Sequence, residues 1–276
     1  MKSTTEAMTN FAEVHPLNAS PEIAAIYADI RAVSGLSMVN LIWRHFATFP
    51  EIIQWAWKGV RPLVASQELV ASRQRLINAI ELPSLQPITF EAWQSLGLSA
   101  PTLADMRTIT SDYIRGNCTN IIVLTALRLR LEGIDQASPK LSVGSTPKQM
   151  APLAPLPRIE TLEPSLAASI RSLANHHEGA QGGIIPSLYL ELARWPALAE
   201  VFSSWLGALY DPKAMRTARA STCRAAEAEA MTMLPSLDLP PPNVSQIRPA
   251  LDRFTRLIIP DLTPVCVALL KVLPVR

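Results

Sequence analysis

Asn117 is the polar side chain in this sequence best placed to meet a ligand. It stands in the stretch SDYIRGNCTNIIVLTAL, directly after Gly116 and just before a strongly apolar run. A carboxamide carries two donors and an acceptor, and in dry surroundings those groups need partners. The partner is either a ligand or a helix-packing contact beside the glycine, and the residue by itself leaves both open. Tyr113 lies one helical turn earlier on the same face. A second cluster, His176-His177-Glu178, precedes a loop carrying Gly179, Gly182 and Gly183. Metal ligands on a helix usually stand at i and i+4, and no third or fourth ligand has suitable spacing, so no metal site is expected. The histidines read as a helix C-terminus set against the dipole. Glu178 becomes a general base if the loop folds over a cavity. Asn40, Trp43, Arg44 and His45 form a third group. There, Arg44 either holds a substrate carboxylate or is a solvated helix arginine, and Trp43 is core or pocket wall. No Ser-His-Asp or Cys-His set arises from local spacing, and Cys118 reads as a small buried hydrophobe.

The elements that carry these residues are helical. Apolar residues recur at three and four, as in Ile23, Ile26, Tyr27, Ile30 and in Leu166, Ile170, Leu173, while strict alternation is rare. Ten glycines are too few for a nucleotide-binding α/β fold, and GxGxxG, GxxxxGK[ST] and GxSxG are all absent, so no cofactor is expected. The 24 prolines cluster between the periodic segments, where they are expected to end helices rather than interrupt them. The fold class is therefore all-α.

Charge and cysteine usage narrow the function classes. With 25 basic and 23 acidic residues the net charge is +2, which gives no electrostatic reason for a nucleic-acid partner. The longest apolar runs, such as Ile121 to Leu127, fall short of the ~20 residues that cross a bilayer, so no membrane partner is expected. The three cysteines are far apart and form no CxxC pair, which argues against a disulfide framework. The opening MKSTTEAMTNFAEVHP has no apolar stretch for a signal peptidase. A reduced, cytoplasmic protein is expected.

Two parts of the chain share a phrase. NLIWRHFATFPEIIQWAW from Asn40 aligns with PSLYLELARWPALAEVFSSW from Pro186 when Pro50 is set on Pro196. Trp43 then falls on Tyr189, and upstream IYADIR matches AASIR. Between the copies, prolines at 139, 147, 152, 155, 157 and 164 make a semi-rigid strap. The expected organisation is a first helical repeat over 11–132, a Pro-rich linker over 133–164 and a second repeat over 165–276. The two repeats form one pseudo-symmetric unit with its main cavity between them.

This combination resembles the group I 2-haloacid dehalogenases, the family of non-stereospecific and D-specific enzymes. The likeness is carried by IYADIR, WRHFATFP, RGNCTNIIVLTAL and SLYLELARWP, and it spans about residues 11 to 273. It implies two pseudo-symmetric α-helical repeats with the active site between them, a homodimer, and a small carboxylic acid as ligand. The implied reaction is hydrolysis of a carbon–halogen bond at C2 by a water that an aspartate and an asparagine position, with inversion and no covalent ester. Asn117 matches the family asparagine. Where the family has Ser-Asp-aromatic, this chain reads Ser187-Leu188-Tyr189, and leucine cannot take a proton from water. The resemblance thus implies a pocket of Asn40, Trp43, Tyr113, Ser187, Leu188, Tyr189 and Phe254. Any replacement base comes from Glu178, His177 or Asp112. Two further readings stand beside hydrolysis: a non-catalytic relative that binds a small acid, and an interaction protein whose cavity Leu188 fills.

Overall fold

The computed structural model describes residues 11–135, 141–142, 144, 156–180 and 184–274, so most of the Pro-rich linker lies outside the described residues. The chain is all-α, with no strand among those residues. In order, the helices are α1 (Pro21–Ser34), α2 (Leu41–Phe46), α3 (Pro50–Val64), α4 (Gln67–Ala79), α5 (Phe90–Ser95) and α6 (Ala100–Leu131). They continue with α7 (Pro164–Ala174), α8 (Ser187–Leu192), α9 (Pro196–Trp205), α10 (Gly207–Tyr210), α11 (Pro212–Met231), α12 (Arg248–Arg253) and α13 (Ile259–Val272). A five-residue π-turn, Phe254–Ile258, joins α12 to α13.

Local sequence sets these boundaries. Ser20 Oγ accepts from Ile23 N and Pro21 opens α1, a pairing that satisfies an orphan donor where proline needs none. Gly35, at φ 67°, closes the same helix in the left-handed conformation. Ser66, Ser99 and Asp211 cap α4, α6 and α11 in the same way as Ser20. Two prolines depart from expectation: Pro62 lies inside α3 and Pro264 inside α13. Next to Pro264, the Thr263 hydroxyl donates to the Ile259 carbonyl one turn back.

The 32-residue α6 is the spine. From Gly116 to Leu129 every residue of it is buried, because it packs on α13, α11, α4 and α3 together. A helix buried on all sides over fourteen residues is the centre of the molecule. The two halves of the shared phrase fold alike locally. α2 and α8 each run six residues and turn a corner before Pro50 and Pro196, with Phe49 at φ −125° and Trp195 at φ −132°.

Candidate functional site

A cavity of about 410 Å³ opens where the start of the chain, α6, the 184–187 stretch and the π-turn meet. That volume lies in the ~300–1,000 Å³ range usual for small-molecule sites. Its polar wall comes mainly from Ser37 and Asn40 before α2, and from Tyr113, Asn117 and Asn120 on α6, with Ser187 facing them from α8. Positions 113, 117 and 120 fall on one helical face, so a single helix delivers a hydroxyl and two carboxamides. Gly116 brings the entry segment close: a Cβ there would meet both Leu36 methyls at 3.4 Å and Asn40 Nδ2 at 3.6 Å.

Several of these groups have no partner of their own. Asn117 is 5% exposed, and its Nδ2 has only the Cys266 sulfur at 3.7 Å. Asn120 Oδ1 accepts from Trp43 Nε1 at 2.9 Å, but its Nδ2 is buried without a partner, as is Asn40 Oδ1. The Tyr113 hydroxyl lies beside Ser187, and burial raises its pKa well above the usual range, so it stays protonated and available to donate. Buried polar atoms are nearly always satisfied, and a cluster of exceptions around one cavity points to a missing partner.

Two arginines reach the cavity and differ in state. Arg44 is ion-paired to Glu13 at 2.9 Å. Arg31 makes no ion pair among the described residues, and its Nε is buried without a hydrogen bond. Among the described residues no Asp or Glu lines the cavity. The wall therefore has surplus positive charge and several amide donors, which suits a small anion.

The apolar side is built by Ile184, Ile185, Phe254, Ile258, Ile259 and Leu262. The turn at Glu178–Ala180 clamps it. Gly179 N donates to Asp261 Oδ2 at 3.0 Å, and Gly179 O accepts from Arg253 at 3.2 Å. A Cβ on Gly179 would lie 2.8 Å from Ile258 Cα, so only glycine lets the turn sit on the π-turn backbone.

No family model matches the chain. A configuration-inverting 2-haloacid dehalogenase of Alcaligenes xylosoxydans xylosoxydans is 28% identical over 212 residues, covering 70% of this chain and 68% of that one. The complex structure of a D-2-haloacid dehalogenase with L-LA superposes with a TM-score of 0.73 at 19% identity, covering 96% of this chain and 94% of that chain. The complex of a D-2-haloacid dehalogenase mutant with D-2-CPA gives 0.70 at 20%, with the same coverage. The chain is thus similar in sequence to a 2-haloacid dehalogenase and in fold to two D-2-haloacid dehalogenase structures.

Asn40, Tyr113, Asn117, Ser187 and Phe254 all line this cavity. Trp43, Leu188 and Tyr189 do not line it. Trp43 packs in the core, and its side chain meets the site by donating Nε1 to Asn120. Leu188, 1% exposed, also faces the core, because Ser187 takes the cavity side of α8 and its neighbour must turn away. Tyr189 bonds His177 and Tyr210 instead.

Glu178 is likewise outside the cavity. Its side chain is 49% exposed and pairs with Arg219 at 2.8 Å, which holds its pKa below the usual carboxylate range. The histidines are not charges set against a dipole. His177 is buried and its pKa is pushed down to about 3 by desolvation, so it is neutral and bonded to Tyr189, while His176 stacks on Tyr210 at 4.3 Å. Among the described residues no group of three or more His, Cys, Asp or Glu could hold a metal ion, and no helix is long and apolar enough to cross a membrane.

Three residues in or beside the site carried no sequence signal of their role. Arg31 was only the last letter of a helical phrase, and Ser37 sat in what reads as a turn. Glu191, 1% exposed, has one oxygen on Arg194 at 2.6 Å and the other buried without a partner, close enough to Tyr113 to raise its pKa. An i+4 reading from Ser187 would have put Glu191 on the cavity side of α8.

Proposed function

We propose that this chain takes a short 2-halocarboxylate into the cavity and hydrolyses its carbon–halogen bond by direct attack of water, with inversion at C2. The observation that carries the reading is Arg31 together with Asn117. Among the described residues one is a cation with no ion pair and the other a carboxamide whose amide meets only a sulfur, and both line a single cavity on which no described Asp or Glu lies. Arg31 binds the substrate carboxylate, Asn117 and Asn120 hold the water and the reacting carbon in line, and the Ile184, Ile258 and Leu262 side takes the halogen-bearing end. The 28% identical relative, a configuration-inverting 2-haloacid dehalogenase, supports the stereochemical part. A cytoplasmic location belongs to the same reading, supported by three cysteines that are all free.

The second reading is binding of the same acid without turnover, and the acid-free wall favours it. One experiment separates the two. The protein is incubated with each enantiomer of 2-chloropropionate, free chloride is measured, and binding of lactate is followed in parallel by calorimetry. Chloride release from one or both enantiomers, with a lactate of inverted configuration, is the expected result. Lactate binding without chloride release selects the second reading. Neither signal removes both.

A further inference from the structure

We propose that Asp112, acting through Ser37, accepts the proton of the attacking water. The inference rests on the hydrolytic reading above and supplies the base that the cavity wall itself lacks.

The geometry singles out this carboxylate. Asp112 is 4% exposed, and its Oδ2 accepts from Ser37 Oγ at 2.6 Å and from Ser37 N at 3.4 Å. Its Oδ1 is buried with no hydrogen-bond partner among the described residues. Ser37 is itself on the cavity wall, with Asn40, Tyr113 and Asn117. A buried carboxylate is costly unless it is paired with a cation or well supplied with donors, and here one hydroxyl and one long N–H are its hydrogen bonds. An asparagine would hold Ser37 equally well without the charge, so packing alone does not account for aspartate at this position. Its register is also fixed from two sides. Asp112 lies one turn before Gly116 on α6, and Leu36, next to Ser37, and Asn40, three residues after it, approach Gly116.

The other acids fail on geometry. Glu178 is outside the cavity and held by Arg219, and the ring nitrogen of His177 that bonds is taken by Tyr189. Glu191 is neutralised by Arg194 and makes no hydrogen bond to a hydroxyl on the wall.

The step balances as follows. The water oxygen attacks C2 opposite the halogen, the carbon–halogen bond breaks, and halide leaves with the bonding pair. The water proton passes to Ser37 Oγ while the Ser37 hydroxyl proton passes to Asp112 Oδ2. A 2-hydroxy acid, a halide ion and a protonated Asp112 result, and the last returns its proton to solvent. Ser37 touches the reacting water, and Asp112 is a positioning residue that acts through it.

The test uses the full chain and the variants Asp112→Asn, Ser37→Ala and Glu178→Gln. Chloride release from 2-chloropropionate gives kcat and KM, and lactate calorimetry gives product affinity. Asp112→Asn and Ser37→Ala should each lower kcat by ~10²–10⁴-fold, the usual worth of a positioned base, while KM and lactate affinity change little. Glu178→Gln should turn over like the parent. If Asp112→Asn does not fold, Ser37→Ala, a loss of one oxygen, carries the test alone. Parent-like turnover in the Asp112 or Ser37 variant overturns the relay, as does loss of turnover in Glu178→Gln. A parent protein that binds lactate but releases no chloride overturns the relay and leaves the acid site standing. Absence of both signals removes the site as well.

Discussion

The shared phrase leads to two polar regions that differ in how well they are satisfied. In the first copy, Trp43 donates to Asn120, and the groups beyond it (Asn40 Oδ1, Asn120 Nδ2, Arg31 Nε) end unpartnered at a cavity. In the second copy, Tyr189 meets His177 and Tyr210, His176 stacks on Tyr210, and of these four side chains only His177 Nδ1 is left over. Two segments that align in the sequence thus lead to a region with open polar groups at a cavity and a region that closes on itself. Unsatisfied polar atoms mean binding when they converge on a space, and satisfied ones mean specificity of the core. The comparison can be broken if ligand changes act on the closed region or if stability changes originate in the open one.

The largest effect is expected from Leu188→Asp. The side chain is 1% exposed and faces the core, so the new carboxylate is either desolvated or protonated, and either state costs several kcal/mol. Chemical denaturation should show that loss without any gain in chloride release. A folded Leu188→Asp protein with higher turnover would mean that Leu188 faces the cavity after all.

The closed region should also respond to pH. His177 titrates near 6.5 when unfolded and at about 3 when folded, because burial disfavours its charge. Above pH 6.5 both states are neutral and the residue costs nothing. Below it the unfolded chain binds a proton that the folded chain refuses, so stability falls by up to about 1.4 kcal/mol per pH unit between 6.5 and 3. His177→Gln should flatten that slope in a series of urea melts. An unchanged slope would assign the acid sensitivity to other groups.

The open region should lose affinity instead. Arg31→Met removes the cation and keeps much of the volume, so lactate binding should weaken by about 1.5–3 kcal/mol, roughly ten- to 150-fold. The melting temperature should hardly move, because Arg31 makes no ion pair to lose among the described residues. Calorimetry with parent-like affinity would transfer the carboxylate to Arg44, freed from Glu13.

How much of this could be read from the letters depends on which residues a role needs. The helices were legible because each signals itself within a few residues: Ser20-Pro21 opens α1, Gly35 closes it, and the apolar run after Asn117 has nowhere to go but the core. Asn117 and Tyr113 were legible for the same reason, being one turn apart on one helix. Trp43, Leu188 and Tyr189 were misassigned because a shared phrase gives the fold of a corner but not which face of a six-residue helix meets the cavity. Arg31 and Ser37 were invisible. Arg31 matters because it makes no ion pair among the described residues, and Ser37 because Asp112, far along the chain, accepts its hydroxyl. Neither fact is local.

The smallest effect sharpens the comparison most, since it alters the same phrase position in both copies. Trp43→Phe deletes one hydrogen bond, Nε1 to Asn120 Oδ1 at 2.9 Å, and Tyr189→Phe deletes the links to His177 and to Tyr210. Both substitutions keep an aromatic ring in a fully buried slot, so hydrophobic burial is largely preserved and the difference isolates the polar role. A net bond is worth about 1 ± 0.5 kcal/mol, with more lost where a buried partner is stranded. Trp43→Phe should cost about 1 kcal/mol of stability and, because Asn120 is then free to turn its amide, also weaken lactate binding a few-fold. Tyr189→Phe should cost about 1–3 kcal/mol, stranding His177 and the Tyr210 hydroxyl, and leave lactate binding as it was. Equal binding losses in the two variants would mean that the second region also reaches the ligand. The division between an open and a closed half would then have to be given up.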